Sequence, residues 1–191
     1  MTTPQLKVLA ISGSLRKASY NTAALRAAQE VAPDGMAIEI VSIADIPFYN
    51  ADVQEQGFPG AVMALAEQIR AADAVLIASP EYNYSTSGVL KNTIDWLSRV
   101  PQQPWAGKPV AMIGASMSLL GAARAQYHLR QMFVFLDALP VNKPEVFIAQ
   151  AQNRFDAEGR LTDELTRGFI RQLLVSLAAW TLRLKASRPA A

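Results

Sequence analysis

Apolar residues in this chain fall into short dense blocks separated by stretches of helical spacing. Leu6 to Ser12, Ala74 to Ser79 and Pro109 to Ala115 are near-continuous apolar runs, the pattern of strands buried on both faces. Met36 to Ile43 alternates instead, with Ile38, Ile40 and Ser42 set against Ala37, Glu39 and Val41, and reads as a second strand. Glu145 to Ala149 reads as the fifth and last. Between these runs the spacing predicts helices. An alanine-rich one runs from Asn21 to about Val31 and is closed by Pro33 and Gly35. A second runs from Pro59 to about Ala72, with Val62, Leu65 and Ile69 on one face. A third spans about Val89 to Arg99. A fourth, Gly121 to Leu136, is apolar nearly all round. Thr162 is expected to cap the last helix, with Asp163 and Glu164 complementing its dipole. On that helix Leu165, Phe169, Leu173, Leu177 and Leu184 are expected to face inward. Ala44 to Pro59 reads as a long loop, and Ser187 to Ala191 as a frayed tail.

Strand followed by helix, repeated five times, argues for an α/β fold. Its parallel sheet is covered by helices on both faces. Five strands on one doubly wound sheet fit the flavodoxin-like order 2-1-3-4-5, and a length of 191 residues suits a single domain. Ligands in such folds sit beyond the carboxyl ends of the strands, at the switch point between strands one and three. The polar loops of this chain follow strands one, three and four, so the topology predicts that they meet at one edge.

Composition narrows the chemistry. Half of the chain is apolar and 18% is charged, as in an ordered globular protein. A net charge of +2 with no basic run argues against nucleic acid as a partner. The absence of cysteine excludes disulfides, thiolate metal sites and cysteine nucleophiles. With one histidine besides, no bound metal is expected. No apolar stretch reaches membrane-spanning length, and Met1 to Leu6 lacks a signal-peptide pattern, so a soluble cytoplasmic protein is expected.

The first loop, Ile11 to Thr22, carries Gly13, Ser14, Arg16, Lys17, Ser19 and Asn21. A strand that turns into a helix there presents unpaired N–H groups and the positive end of a helix dipole, an anion site whose usual guest is a phosphate. It lacks the Gly-x-Gly-x-x-Gly and Gly-Lys-Ser/Thr fingerprints, so side-chain donors must stand in for close backbone approach. The plain alternative is that Ser19 or Asn21 merely caps the helix. The second loop, Pro80 to Gly88, offers the apolar faces and polar ends of Tyr82 and Tyr84 and suits a planar ligand. Lys91, Asn92, Asp95, Trp96 and Arg99 follow on one helix, where Lys91–Asp95 and Asp95–Arg99 are i,i+4 pairs on a solvated face. The third turn, Gly114 to Ser118, resembles a nucleophile elbow, but Ser118 stands where that motif needs glycine. No carboxylate lies between Ser116 and His128, so a hydrolase triad is not supported. His128 reads as a helix-surface or interface residue.

Gly13-Ser14-Leu15-Arg16-x-x-Ser19-x-Asn21 resembles the flavin-phosphate loop of the NADPH-dependent FMN reductases. Pro80 to Ser85, followed by Gly88-x-Leu90-Lys91-Asn92-x-x-Asp95-Trp96-x-Ser98-Arg99, resembles that family's second signature. The similarity runs from about Leu6 to Ile148 and is nearest the chromate- and quinone-reducing branch. It implies a non-covalent FMN and hydride transfer from NADPH or NADH through the flavin to a quinone, azo dye, chromate or free flavin. It also implies a homo-oligomer, a dimer or tetramer. By match to the motifs, Ser14, Arg16, Ser19, Tyr20, Asn21 and Thr22 would bind the phosphate end of the cofactor. Pro80, Glu81, Tyr82, Asn83, Tyr84 and Ser85 would bind the ring, with Ser116. No side chain is expected to be catalytic, since the flavin carries the chemistry. A flavin-binding electron carrier or redox-responsive interaction protein is the alternative. The helix from Gly121, with Tyr84, Arg124, Tyr127 and Glu145, is the candidate subunit interface. In one departure, the family's Ser-x-Pro-Gly reads Ser85-Thr86-Ser87-Gly88. The missing proline loosens the turn, which predicts that Ser87→Pro tightens FMN binding.

Overall fold

The computed structural model describes residues 6–187; residues 188–191 of the expected tail lie outside them, and Ser187 ends a helix. Three strands match the apolar runs, β1 (Leu6–Ser12), β3 (Ala74–Ser79) and β4 (Pro109–Ala115), and β2 (Met36–Val41) fills most of the alternating stretch. Two short ones follow, β5 (Leu139–Pro140) and β6 (Val146–Ile148). The order is β2-β1-β3-β4-β5, with β6 also on β4, and every pairing is parallel. This is the expected flavodoxin-like order with one correction. The fifth position is not one strand from Glu145 to Ala149 but two stubs, β5 beside Pro109 and Val110 and β6 beside residues 113–115. Pro144 lies between the stubs and has no N–H to give a ladder.

Among the described residues six α-helices surround the sheet: α1 (Tyr20–Glu30), α2 (Ala51–Glu55), α3 (Gly60–Ala71), α4 (Gly88–Leu97), α5 (Ala123–Phe135) and α6 (Glu164–Ser187). Strand alternation sorts the core into two layers. Val8 and Ala10 of β1 point to the face covered by α1 and α6, while Leu9 and Ile11 point to the face covered by α3, α4 and α5. Among the described residues no helix is long and apolar enough to cross a membrane.

The loop expected over residues 44–59 contains the short α2, capped by Asn50, whose side chain accepts from the Asp52 amide at 2.9 Å. Asn92 and Trp96 of α4 pin its first half. Asn92 Nδ2 and Trp96 Nε1 donate to the Pro47 carbonyl at 2.8 and 2.9 Å, and the Tyr49 amide donates to Asn92 Oδ1 at 2.8 Å. Lys91 and Asp95 form the expected surface pair at 2.6 Å.

The last helix differs from expectation in cap and face. Asp163, not Thr162, caps it: Asp163 Oδ2 accepts from the Thr166 amide at 2.9 Å, while the Thr162 hydroxyl donates to the Arg154 carbonyl. Leu173 and Leu177 face the core as expected, together with Ile170, Leu174 and Thr181, whereas Leu165 and Phe169 are exposed and Leu184 is half-buried. The Thr166 hydroxyl, then the Thr166 amide and Arg154, hold the Asp163 carboxyl below its usual range against a smaller cost of burial. A depressed carboxyl stabilises the fold above its unfolded value, near 4, and loses that contribution as pH falls through the lower folded value. Asp163→Ala is therefore expected to cost about 1 kcal/mol at pH 7. Urea denaturation at pH 7 and pH 3 checks this, with the gap between the two proteins narrowing in acid.

Candidate functional site

Three turns leave the carboxyl ends of β1, β3 and β4 and meet around a cleft of about 240 Å³. Of the thirteen residues predicted from the sequence, nine line it: Ser14, Arg16, Ser19, Tyr20 and Asn21 from the first turn, Pro80, Glu81 and Tyr82 from the second, and Ser116 from the third. Thr22, Asn83, Tyr84 and Ser85 do not. The Thr22 hydroxyl lies beneath the first turn, 2.8 Å from Ser12 Oγ.

The first turn presents unpaired donors at the start of α1. Ser19 is the N-cap of α1 and accepts from the Thr22 amide at 3.2 Å. The amides of Tyr20 and Asn21, at the first two positions of the helix, have no intrahelical acceptor, and the helix dipole adds positive charge there. Arg16 is exposed and forms no ion pair with any described residue. Gly13 lets this turn close on the second, since a Cβ there would stand 3.1 Å from Leu90 Cδ2 and 3.2 Å from Pro80.

Asn21 has another task than the one expected of its side chain. It is buried, its Nδ2 donates to the Ala115 carbonyl and its Oδ1 accepts from the Ala115 amide, both at 3.0 Å. The carboxamide thus bolts the start of α1 to the end of β4 and reaches a ligand only through its backbone.

The second turn is tight. The Tyr82 amide donates to the Ser85 carbonyl at 2.9 Å and the Ser85 amide to the Tyr82 carbonyl at 3.0 Å. Asn83 and Tyr84 between them have φ of 47° and 68°, the two positive values of a type I′ turn. A tyrosine in that region is unusual, and this one is covered by the Arg124 guanidinium, 3.5 Å from the ring centroid. The Glu81 carboxylate is engaged by the start of α5. It pairs with Arg124 and accepts from the Arg124 and Ala125 amides at 3.0 and 3.4 Å, satisfying the start of α5. His128, read from sequence as a surface or interface residue, reaches back from α5 to place Nδ1 2.9 Å from Ser85 Oγ. Nothing in the spacing signals that contact.

Ser87 joins the turns from the other side. Its buried hydroxyl donates to the Gly13 carbonyl at 2.6 Å and accepts from the Leu90 amide at 3.3 Å, capping α4. In the third turn Ser116 Oγ lies 2.7 Å from Ser118 Oγ. A Cβ on Gly114 would stand 2.7 Å from the Gly121 carbonyl, so that glycine serves the close return of the chain into α5. Ser116 bonds Ser118 while His128 bonds Ser85, so the serine of the elbow-like turn is not paired with the histidine.

This arrangement matches a sequence pattern shared with known proteins. Residues 6–153 match the family model described as NADPH-dependent FMN reductase. The chain belongs to that family. It is 60% identical to an NAD(P)H-dependent FMN reductase of Pseudomonas aeruginosa over 94% of this chain and 97% of the relative. To a quinone reductase of Escherichia coli K12 it is 50% identical over 95% and 98%. Among solved structures it resembles FerB, a flavoenzyme NAD(P)H:(acceptor) oxidoreductase from Paracoccus denitrificans. That match has a TM-score of 0.83 and 35% identity, covering 93% of this chain and 98% of that one. The family match ends at residue 153, so α6 lies beyond it.

Proposed function

We propose that this FMN reductase family member is an FMN-dependent NAD(P)H oxidoreductase of the cytoplasm that reduces quinones, with azo compounds, chromate and free flavin as further acceptors. The observation that carries the reading is the single cleft into which the turns after β1, β3 and β4 all open. Its donor set fits FMN at both ends. Arg16, the Ser14 and Ser19 hydroxyls and the first amides of α1 suit a phosphate dianion. Pro80, the ring of Tyr82 and the backbone of residues 81–83 suit the face and heteroatom edge of a flavin, with Ser116 opposite. Bound FMN would supply the redox chemistry, hydride transfer between the nicotinamide and the acceptor.

The chain's own residues bind and orient. Arg16 and the α1 amides fix the phosphate. Glu81, spent on α5, and Ser87, spent on Gly13, hold the second turn at a set distance from the first. Tyr82 is half exposed beside the cleft and leaves room for a second flat molecule.

The protein assembles as a dimer or tetramer through α5. Val134 and Phe135 at the end of the helix and Leu119 before its start are largely exposed, with Leu120 half exposed, and exposed apolar side chains of this kind mark contacts. Tyr84 and Arg124 lie stacked at the start of α5, and Tyr127 packs on Phe147.

The test is the visible spectrum of the FMN-reconstituted protein before and after anaerobic NADPH, followed by turnover with a quinone. Flavin bands should survive desalting, bleach with NADPH and return on adding quinone. Bands that survive but bleach with neither NADPH nor NADH would instead support an electron carrier.

A further inference from the structure

Three consecutive hydroxyls fasten the exit of the second turn, each to a different part of the fold. The Ser87 hydroxyl goes to the Gly13 carbonyl in the first turn, and Thr86 Oγ1 lies 2.8 Å from Ser79 Oγ at the end of β3. Ser85 goes to α5, where His128 Nδ1 stands 2.9 Å from its Oγ. Glu81, on the entry arm of the turn, is also held by α5, through Arg124. Arg124 and His128 are one helical turn apart and share a face of that helix. One helix thus grips both arms of the turn.

Ser85 passes that hold on to the cleft. It does not line the cleft, but its amide and carbonyl pair with the carbonyl and amide of Tyr82, which does. Asn83 and Tyr84 between them both have positive φ, a conformation that residues other than glycine keep only when their surroundings impose it. The shape of the turn therefore depends on how its arms are held. We propose that His128 is a positioning residue of the flavin site: through Ser85 it sets where Tyr82 and the backbone of the second turn stand against the flavin ring and a flat acceptor. The proposal rests on the flavin reading above, since it gives one more residue a part in that site.

The bond runs through Nδ1, whose place an asparagine side chain can fill, whereas a glutamine amide reaches only the place of Nε2. His128→Asn should therefore keep FMN affinity and the KM for a quinone near those of the unaltered protein. His128→Gln and His128→Leu should weaken FMN binding and raise that KM about fivefold, the worth of one side-chain hydrogen bond. Helix propensity ranks the other way, with leucine and glutamine above asparagine, so a merely structural role would make His128→Asn the worst of the three. The visible band of bound FMN should shift in His128→Leu and stay in place in His128→Asn. Ser85→Ala removes the same bond from its other end, so it should match His128→Leu, and the double variant should be no worse than either. FMN dissociation constants unchanged in every His128 variant, or losses in Ser85→Ala and His128→Leu that simply add, would overturn the positioning role and leave the flavin site standing. Failure of the unaltered protein to retain FMN through desalting would overturn the flavin reading and this role with it.

Discussion

Asn21→Ala is expected to cost about 3 kcal/mol of stability and to abolish flavin retention. The carboxamide satisfies both the amide and the carbonyl of Ala115, and that residue is 3% exposed. Without it two buried backbone groups are orphaned, at about 1–3 kcal/mol each. The loss also has a place. Asn21 stands at the start of α1 and Ala115 at the end of β4, so the bolt fixes the separation of the first and third turns. Asn21→Asp should do no better, because its second oxygen would face the Ala115 carbonyl instead of donating to it. Urea denaturation and FMN titration by fluorescence quenching read the two effects together. Were the side chain a phosphate ligand and nothing more, FMN affinity would fall with the urea midpoint unchanged.

Ser87→Pro is the second large effect, and the structure reverses the direction expected from the missing family proline. Ser87 has φ of −67°, so a proline fits the backbone and stiffens the unfolded chain by about 0.4–1 kcal/mol. It also removes the hydroxyl that joins the Gly13 carbonyl to the start of α4. An orphaned buried carbonyl costs about 1–3 kcal/mol, and Gly13 is the pivot of the first turn. FMN is therefore expected to bind about tenfold more weakly in Ser87→Pro, a change of roughly 1.4 kcal/mol. Ser87→Ala should lose as much affinity and more stability, having no compensating stiffness. Ser87→Thr keeps the hydroxyl and should stay near the original affinity. A dissociation constant in Ser87→Pro equal to or below that of the unaltered protein would show that the bond to Gly13 does not hold the turns together.

Much of this was legible in the sequence because the strands at the middle of the sheet have no polar face. β1, β3 and β4 are almost wholly buried, so each announced itself as a continuous apolar run. Once their order is known, topology brings the loops that follow them to one edge, and the first two loops carry enough hydroxyl, amide and aromatic groups to stand out. The periphery was harder to read. The edge beyond β4 pairs over only two and three residues at a time, too few to impose a pattern. Asp163 and Thr162 are adjacent and both can cap, so only geometry chooses between them. The long-range contacts were invisible in principle. Asn21 reaches Ala115 across 94 positions and Ser87 reaches Gly13 across 74. A sequence shows that an amide or hydroxyl is present, not which distant carbonyl it will meet. His128 is the clearest case, the chain's one histidine, set on a helix that only the fold brings beside Ser85.

The broken fifth position bears on how the protein avoids its own kind. A long open edge is a template on which another chain can add a strand. Beyond β4 the sheet offers only the two-residue β5 and the three-residue β6, with Pro144 between them, so a foreign strand would find no continuous row of donors to zip along. The opposite margin is different: β2 is six residues long and only its first residue is buried. Self-association of this sheet, under stress or during folding, is therefore directed to the β2 side, and it is there that a protecting charge would be placed to keep the protein in solution.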